Sequence, residues 1–305
     1  IEAEGLQADG KHSAEERLQS YVIKRMEKML AKYGRKIIGW DEILEGGLSP
    51  EATVMSWRGT SGGISAALQK HDVIMTPGSG GLYLDHYQGD YKIEPVTIPS
   101  APAYLSRTYN YEPVPDTIKS LGLEKHILGV QCNNWSEYMY TNAKMEYQMY
   151  PRSLALAEIA WSPAKKKNFT DFARRVDANS VRLDERHVRY HIPLPEQPYG
   201  SCDKVVITKD TVVTFQTSRP MKMVYTLDGS IPTPSSAVYT EPIKVSGNTT
   251  IKIATVLPSG KMSKVRTIDV EKQTYAPAVK LNDAKAGLQL RRMKGNYLKV
   301  NQLEL

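Results

Sequence analysis

The chain has almost no cysteine: Cys132 and Cys202 are the two among 305 residues. That excludes the disulfide framework of a small secreted domain, and because the two lie in different regions both are read as free thiols. No apolar run approaches the roughly 20 residues of a membrane helix, so no integral membrane segment is expected. The sequence opens at Ile1 with neither a methionine nor a signal segment, which leaves its compartment undecided at this level. His86 and His126 lack the spacing of metal ligands, and no metal or organic cofactor is expected.

An excess of one charge is missing from the first part. Residues 1–192 hold 24 Lys and Arg against 24 Asp and Glu, so the formal net charge of +7 belongs wholly to residues 193–305, with 16 against 9. There the basic side chains are scattered among strand-like segments without an interleaved aromatic platform. That is the pattern of a solvated basic surface, and no nucleic-acid partner is expected. With 41% hydrophobic and 24% charged residues, the length suffices for two domains.

What the chain does have is tryptophan in a repeated setting. Three of its four stand at or just past the ends of short apolar runs, in Lys36-Ile-Ile-Gly-Trp40-Asp-Glu42, Thr53-Val-Met-Ser-Trp57-Arg58 and Gly129-Val-Gln-Cys-Asn-Asn-Trp135-Ser-Glu137. A fourth run, Asp72-Val-Ile-Met-Thr76, leads to Tyr83-Leu-Asp85-His86-Tyr87. A pyranose offers apolar C–H faces for stacking and hydroxyls that seek charged acceptors, so aromatic rings beside carboxylates suit a sugar.

Residues 13–33 begin with Ser13-Ala-Glu-Glu16, a capping box, and place Leu18, Tyr21, Val22, Met26, Met29 and Leu30 three or four apart. This spacing predicts a helix ending at Gly34. Strands are expected at 36–40, 53–58, 72–76 and 127–132, with a helix at 61–70 and a long loop from about 78 to 125. Helices near 144–161 and 168–188 close the region. Strands alternating with helices imply four parallel βα units. Such a domain carries its chemistry at the C-terminal strand ends, where Trp40, Trp57, Tyr83 with Asp85, and Trp135 with Glu137 fall. An eight-stranded (β/α)₈ barrel needs about 250 residues, so the first 190 are either a small open sheet or half a barrel.

Several motifs carry a resemblance. Leu18-Gln-Ser-Tyr21, Gly39-Trp-Asp-Glu-Ile-Leu-Glu-Gly-Gly47, Val54-Met-Ser-Trp-Arg-Gly59, His71-Asp-Val-Ile-Met-Thr-Pro77, Tyr83-Leu-Asp-His-Tyr-Gln88 and Asn134-Trp-Ser-Glu137 closely resemble glycoside hydrolase family 20, the β-N-acetylhexosaminidases, in order and spacing. The likeness covers about residues 1–190. It implies the C-terminal half of a (β/α)₈ TIM barrel, strands five to eight, and N-acetylhexosamine-terminated glycans as partners. The family's His-x-Gly-Gly-Asp-Glu motif of strand four, with its catalytic pair, and the substrate-binding Arg of strand one are absent here. Asp41-Glu42 follows a strand and is an alternative pair, although by resemblance it belongs to the strand-five motif. Asp184-Glu185 reads as a solvated helical patch.

The resemblance implies substrate-assisted chemistry, in which the 2-acetamido oxygen attacks the anomeric carbon and the outcome is retention. By the same likeness Tyr83 donates its hydroxyl to that oxygen, Trp40, Trp57 and Trp135 enclose the acetamido group and sugar ring, and Asp85 and Glu137 hold the O4 and O6 hydroxyls. Trp161 and Glu158, on a later helix, read as packing residues.

Ile192-Pro-Leu-Pro-Glu-Gln-Pro198 marks a linker at 191–203. Beyond it the period changes to two: residues 205–217, 222–227, 238–245, 249–257 and 263–270 are rich in Val, Ile, Thr and Tyr, with turns at Asp228-Gly229 and Ser259-Gly260. A small antiparallel Fn3- or Ig-like β-sandwich at 204–272 is expected. Tyr225-Thr-Leu-Asp-Gly-Ser-Ile-Pro232 and Thr250-Ile-Lys-Ile-Ala254 resemble the chitobiase/hexosaminidase C-terminal domain. Residues 273–305, with Gly287-Leu-Gln-Leu290 and Gly295-Asn-Tyr-Leu298, read as the start of another β-domain. The whole is expected to be a fragment of a longer glycosidase, inactive alone and of a periplasmic or extracellular kind by resemblance, its oligomeric state open.

Overall fold

The capping box forms as the sequence requires: Ser13 Oγ accepts from the Glu16 N–H at 3.1 Å while Glu16 accepts from the Ser13 N–H at 2.6 Å, which starts α1 (Ala14–Ala31). Gly34, at φ 65°, turns the chain into the first strand. The structure is a computed structural model and describes residues 1–277.

Four short strands follow, β1 (Ile38–Trp40), β2 (Thr53–Ser56), β3 (Val73–Met75) and β4 (Ile127–Val130), paired in the order β1-β2-β3-β4 and all parallel. Between β2 and β3 runs α2 (Ser61–Leu68), whose Ala66 and Ala67 bury against Val54, Val73 and Met75. Small residues there let helix and sheet approach closely, and because each connection carries the chain back to the same edge of the sheet, every strand leaves it pointing the same way. The strands are shorter than the expected runs: β2 and β4 lose their last two residues to the loops beyond the sheet, β1 loses its first two, and β3 loses one at each end.

Two expectations about the helices and loops of this first region need correction. The stretch 78–125 is not one loop, for it holds α3 (Leu105–Asn110) and α4 (Asp116–Ser120), too short to show a period in the sequence. The helix expected at 144–161 is two, α5 (Asn142–Met149) and α6 (Arg152–Trp161), because Pro151 cannot continue a helix. Then α7 (Phe169–Glu185) packs Phe172 and Val176 on Leu105, Tyr109, Ala155 and Ile159.

The second region is built from β5 (Lys204–Ile207), β6 (Thr211–Val213), β7 (Lys222–Thr226), β8 (Ala237–Val238), β9 (Ile243–Val245), β10 (Thr249–Val256) and β11 (Arg266–Lys272). One sheet runs β5-β11-β10-β7-β8 and a second pairs β6 with β9, enclosing Ile207, Val213, Phe215, Ile243, Ile251, Ile253 and Ile268. Gly229 at φ 79° and Gly260 at φ 86° supply the expected turns. The sandwich is not wholly antiparallel, since β5 and β11 pair in parallel. The runs 205–217 and 238–245 each divide between the two sheets, as a chain crossing from one layer to the other must leave its first ladder.

The proline-rich stretch expected as a linker is a packed connection. Tyr190, His191, Ile192, Leu194 and Glu196 are buried, the His191 N–H donates to the Tyr150 carbonyl at 3.0 Å, and Glu196 pairs with Gln216. Accordingly residues Ile1–Lys272 form one compact unit. Asp184, expected to be solvated, accepts from Tyr190 Oη and forms an ion pair with Lys261 of the sandwich. The motifs at Gly287 and Gly295 lie outside the described residues.

Candidate active site

Because β1 to β4 are parallel and adjacent, whatever follows each strand gathers at one rim of the sheet. Trp40 closes β1, Trp57 follows β2, Tyr83 and Asp85 lie on the segment after β3, and Trp135 and Glu137 lie beyond β4. All six line one cavity of about 390 Å³, together with Glu42, His86 and Ile98. The Trp40 and Trp135 ring centroids are 5.6 Å apart at 47°, Tyr83 meets Trp135 edge-on at 6.3 Å and 74°, and Trp57 stacks on Tyr83 at 6.4 Å and 10°. These are favourable aromatic geometries, and all four rings line the cavity.

The local reasons are legible residue by residue. The segment after β3 runs beside the chain after β4: Leu84 N–H donates to the Asn133 carbonyl at 2.7 Å and Asn133 N–H to the Leu82 carbonyl at 2.9 Å. In extended chain alternate side chains face opposite ways, so Leu82 and Leu84 are buried in the protein while Tyr83 and Asp85 face the cavity. Trp57 is set by the turn after β1. Asp41 accepts from the Trp57 and Arg58 N–H groups at 3.1 and 3.3 Å and from Arg58 Nε at 2.6 Å, and both Glu42 oxygens accept from Trp57 Nε1 at 3.0 and 2.8 Å. Both members of the Asp41-Glu42 pair are thus engaged in holding Trp57 and Arg58.

Asp85 is 2% exposed and neither of its carboxylate oxygens has a hydrogen-bond partner of full geometry. Burial, and after it the charge of Glu137, pushes its carboxyl up to about 6, while its own backbone N–H, that of Trp135 and the charge of Arg152 temper the rise. Such an orphaned acceptor aimed into a cavity is suited to sugar hydroxyls. Burial also raises the Tyr83 hydroxyl, which stays a neutral donor, and lowers the His86 imidazole, which favours its uncharged form.

Beneath the rim lies Arg152, fully buried at the start of α6. It donates to the carbonyls of Leu84, His86, Ala103 and Gln148, so its fork holds both residues flanking Asp85. Sequence reading missed Arg152 and Ile98, weighed Glu42 only as half of an alternative catalytic pair, and gave His86 no role, although both line the cavity. Trp161, expected to be packed, is instead 89% exposed on a larger groove of about 620 Å³ between α6 and α7, where Glu158 is tied to Arg175 at 2.5 and 2.6 Å. Cys132 and Cys202 are free, and burial pushes the Cys132 thiol up to about 12. Among the described residues no group of three or more His, Cys, Asp or Glu could hold a metal ion, and no helix is long and apolar enough to cross a membrane.

An α/β domain with an aromatic and carboxylate cavity at its strand ends, followed by a β-domain, defines a carbohydrate-active class. Residues 2–164 match the family described as glycosyl hydrolase family 20, catalytic domain, and residues 205–267 match the chitobiase/beta-hexosaminidase C-terminal domain. The chain belongs to glycosyl hydrolase family 20. It is 54% identical over 292 residues to a beta-hexosaminidase of Porphyromonas gingivalis, covering 95% of this chain and 37% of that protein. A beta-hexosaminidase of Vibrio furnissii is 33% identical over 155 residues, covering 50% of this chain and 25% of that one. The crystal structure of the Vibrio harveyi GH20 exo beta-N-acetylglucosaminidase in complex with N-acetylglucosamine aligns with a TM-score of 0.53 at 30% identity, covering 57% of this chain and 27% of that one. The chain thus spans between about a quarter and somewhat over a third of the length of these relatives.

Proposed function

We propose that this chain supplies the acetamido- and hydroxyl-binding side of a β-N-acetylhexosaminidase site acting on terminal, non-reducing β-linked GlcNAc or GalNAc. The observation that carries the reading is the convergence of Trp40, Trp57, Tyr83, Asp85, Trp135 and Glu137, from four consecutive strand ends, on one cavity. In this reading residues 1–190 are strands five to eight of a (β/α)₈ barrel, 191–203 connect, and 204–272 are an accessory sandwich. The substrate's acetamido oxygen is the nucleophile, and Tyr83 donates to it so that the near-attack geometry persists. The tryptophans exclude water and stack the ring, while Asp85 and Glu137 accept the O4 and O6 hydroxyls. The general-acid Glu and the orienting Asp belong to a more N-terminal part of the longer protein. The substrates are glycans met in the periplasm or outside the cell.

Hydrolysis of a chromogenic β-GlcNAc glycoside by this chain, beside a polypeptide extended through the strand-four Asp-Glu motif, tests this. Activity in the extended form alone is expected; equal activity in both would make Asp41-Glu42 the acid pair and sink the reading. A second reading, noncatalytic carbohydrate binding, draws support from the engagement of Asp41 and Glu42, and predicts sugar affinity with no turnover in either form.

A further inference from the structure

We propose that Glu42 is a positioning residue: its carboxylate fixes the indole of Trp57 in the orientation that faces Tyr83, and so sets one wall of the cavity. The proposal rests on the reading of that cavity as a sugar site. Trp57 lies one residue past the end of β2, where sheet pairing no longer restrains it. Two adjacent carboxylates take over separate parts of it. Asp41 holds its backbone N–H at 3.1 Å, and Glu42 receives its indole N–H on both oxygens, at 3.0 and 2.8 Å. A charge-assisted bond of this kind is directional enough to choose one orientation of a flat side chain.

The turn that carries both carboxylates is itself immobilised by packing. Ile43 is buried, and a Cβ at Gly39 would approach its side chain to 2.7 Å. On the other side a Cβ at Gly62, at the start of α2, would come within 2.8 Å of the Asp41 side chain. Ser56 Oγ, at the end of β2, accepts from the Gly63 N–H at 2.8 Å and donates to the Gly59 carbonyl at 2.7 Å, closing the far side of the Trp57 turn. Glu42 therefore acts from a rigid support, and the indole it holds stacks on Tyr83 with planes within 10°. Without that acceptor the indole N–H turns toward water and the near-parallel pairing with Tyr83 is lost.

The test uses the 305-residue chain with ¹⁵N-labelled tryptophan, the Trp57 indole resonance being assigned with Trp57→Phe. Parent, Glu42→Leu and Glu42→Gln are compared by that resonance, by melting temperature and by fluorescence titration with N-acetylglucosamine. In the parent the indole proton should lie downfield and exchange slowly. Glu42→Gln, which keeps one acceptor, should retain that signature and most of the affinity. Glu42→Leu should lose the signature and bind the sugar about tenfold more weakly, on the scale of one bond to a charged group. Glu42→Ala gives the same comparison if the leucine variant does not fold. An unchanged indole resonance in the leucine or alanine variant would overturn the proposal, as would equal loss of affinity in the glutamine and leucine variants. A Glu42-dependent resonance in a parent that ignores the sugar would sink the sugar reading and leave the clamp standing.

Discussion

Trp57 and Tyr83 lie ring against ring, with centroids 6.4 Å apart and planes within 10°. The stack depends on the tyrosine's ring, whereas the proposed chemistry depends on its hydroxyl. Tyr83→Phe should therefore leave folding unchanged, with a melting temperature close to that of the parent. In the longer hexosaminidase it should lower kcat by about a hundredfold, the effect of deleting one preorganised donor, with little change in KM. Trp57→Ala removes the wall itself and should raise KM as well. Steady-state hydrolysis of a chromogenic N-acetylglucosaminide separates the two, and a Tyr83→Phe enzyme with parental kcat would exclude the hydroxyl from the reaction.

Asp85 gives the site a pH dependence whose sign can be worked out. Its carboxyl titrates near 6 when folded and at 3.8 as an ordinary aspartate, raised first by burial and then by Glu137. Between those values the folded chain holds a proton that the unfolded chain releases. Its contribution to stability is thus greatest below 3.8 and falls as pH rises through 6. Asp85→Asn abolishes this. The variant should match the parent at low pH and exceed it by up to about 3 kcal/mol at neutral pH, the worth of a shift of roughly two pH units, read from urea unfolding. Sugar affinity should move the opposite way, rising in the parent as Asp85 ionises and staying low and flat in the variant.

The sequence made the parallel strands and their rim residues legible because each repeats one local pattern, a short apolar run closed by an aromatic or carboxylate. Arg152 was hidden for the opposite reason. Its partners are carbonyls of residues 84, 86, 103 and 148, groups that every residue possesses and that no side-chain pattern announces. The sandwich strands were visible by their period of two, but the division of 205–217 between sheets follows from layer packing, a long-range effect. Trp161 misled because an apolar residue on an amphipathic helix reads as core whether or not a neighbouring element covers it.

Arg152 should be among the costliest single residues to remove. Its guanidinium is fully buried and serves carbonyls on both sides of Asp85, so Arg152→Met leaves those acceptors unpaired inside the protein. A loss of about 3–5 kcal/mol is expected by urea unfolding. Arg152→Lys should recover only a minor part, since a single ammonium cannot reproduce the fork. Recovery to within 1 kcal/mol, roughly the worth of one ordinary hydrogen bond, would show that charge alone matters there.

The junction between the two regions rests on a pair of unequal ionic links, which makes its coupling measurable. Arg219, 5% exposed, donates from Nε and Nη2 to Asp177 on α7 at 3.2 and 2.8 Å. Lys261 and Asp184 are much more open to solvent. Water screens the second pair, so Lys261→Ala should cost less than about 1 kcal/mol. Asp177→Leu instead strands a buried guanidinium and should cost about 3–5 kcal/mol, whereas adding Arg219→Met to it should restore much of that loss. The apolar cluster of Leu183, Tyr190, Ile192 and Leu257 spans the same junction, so the parent should melt in one calorimetric transition. In Asp177→Leu the desolvated charge favours separation of the β-sandwich from α7, and the single transition should split in two. One undivided transition in that variant would show that the apolar cluster alone couples the regions.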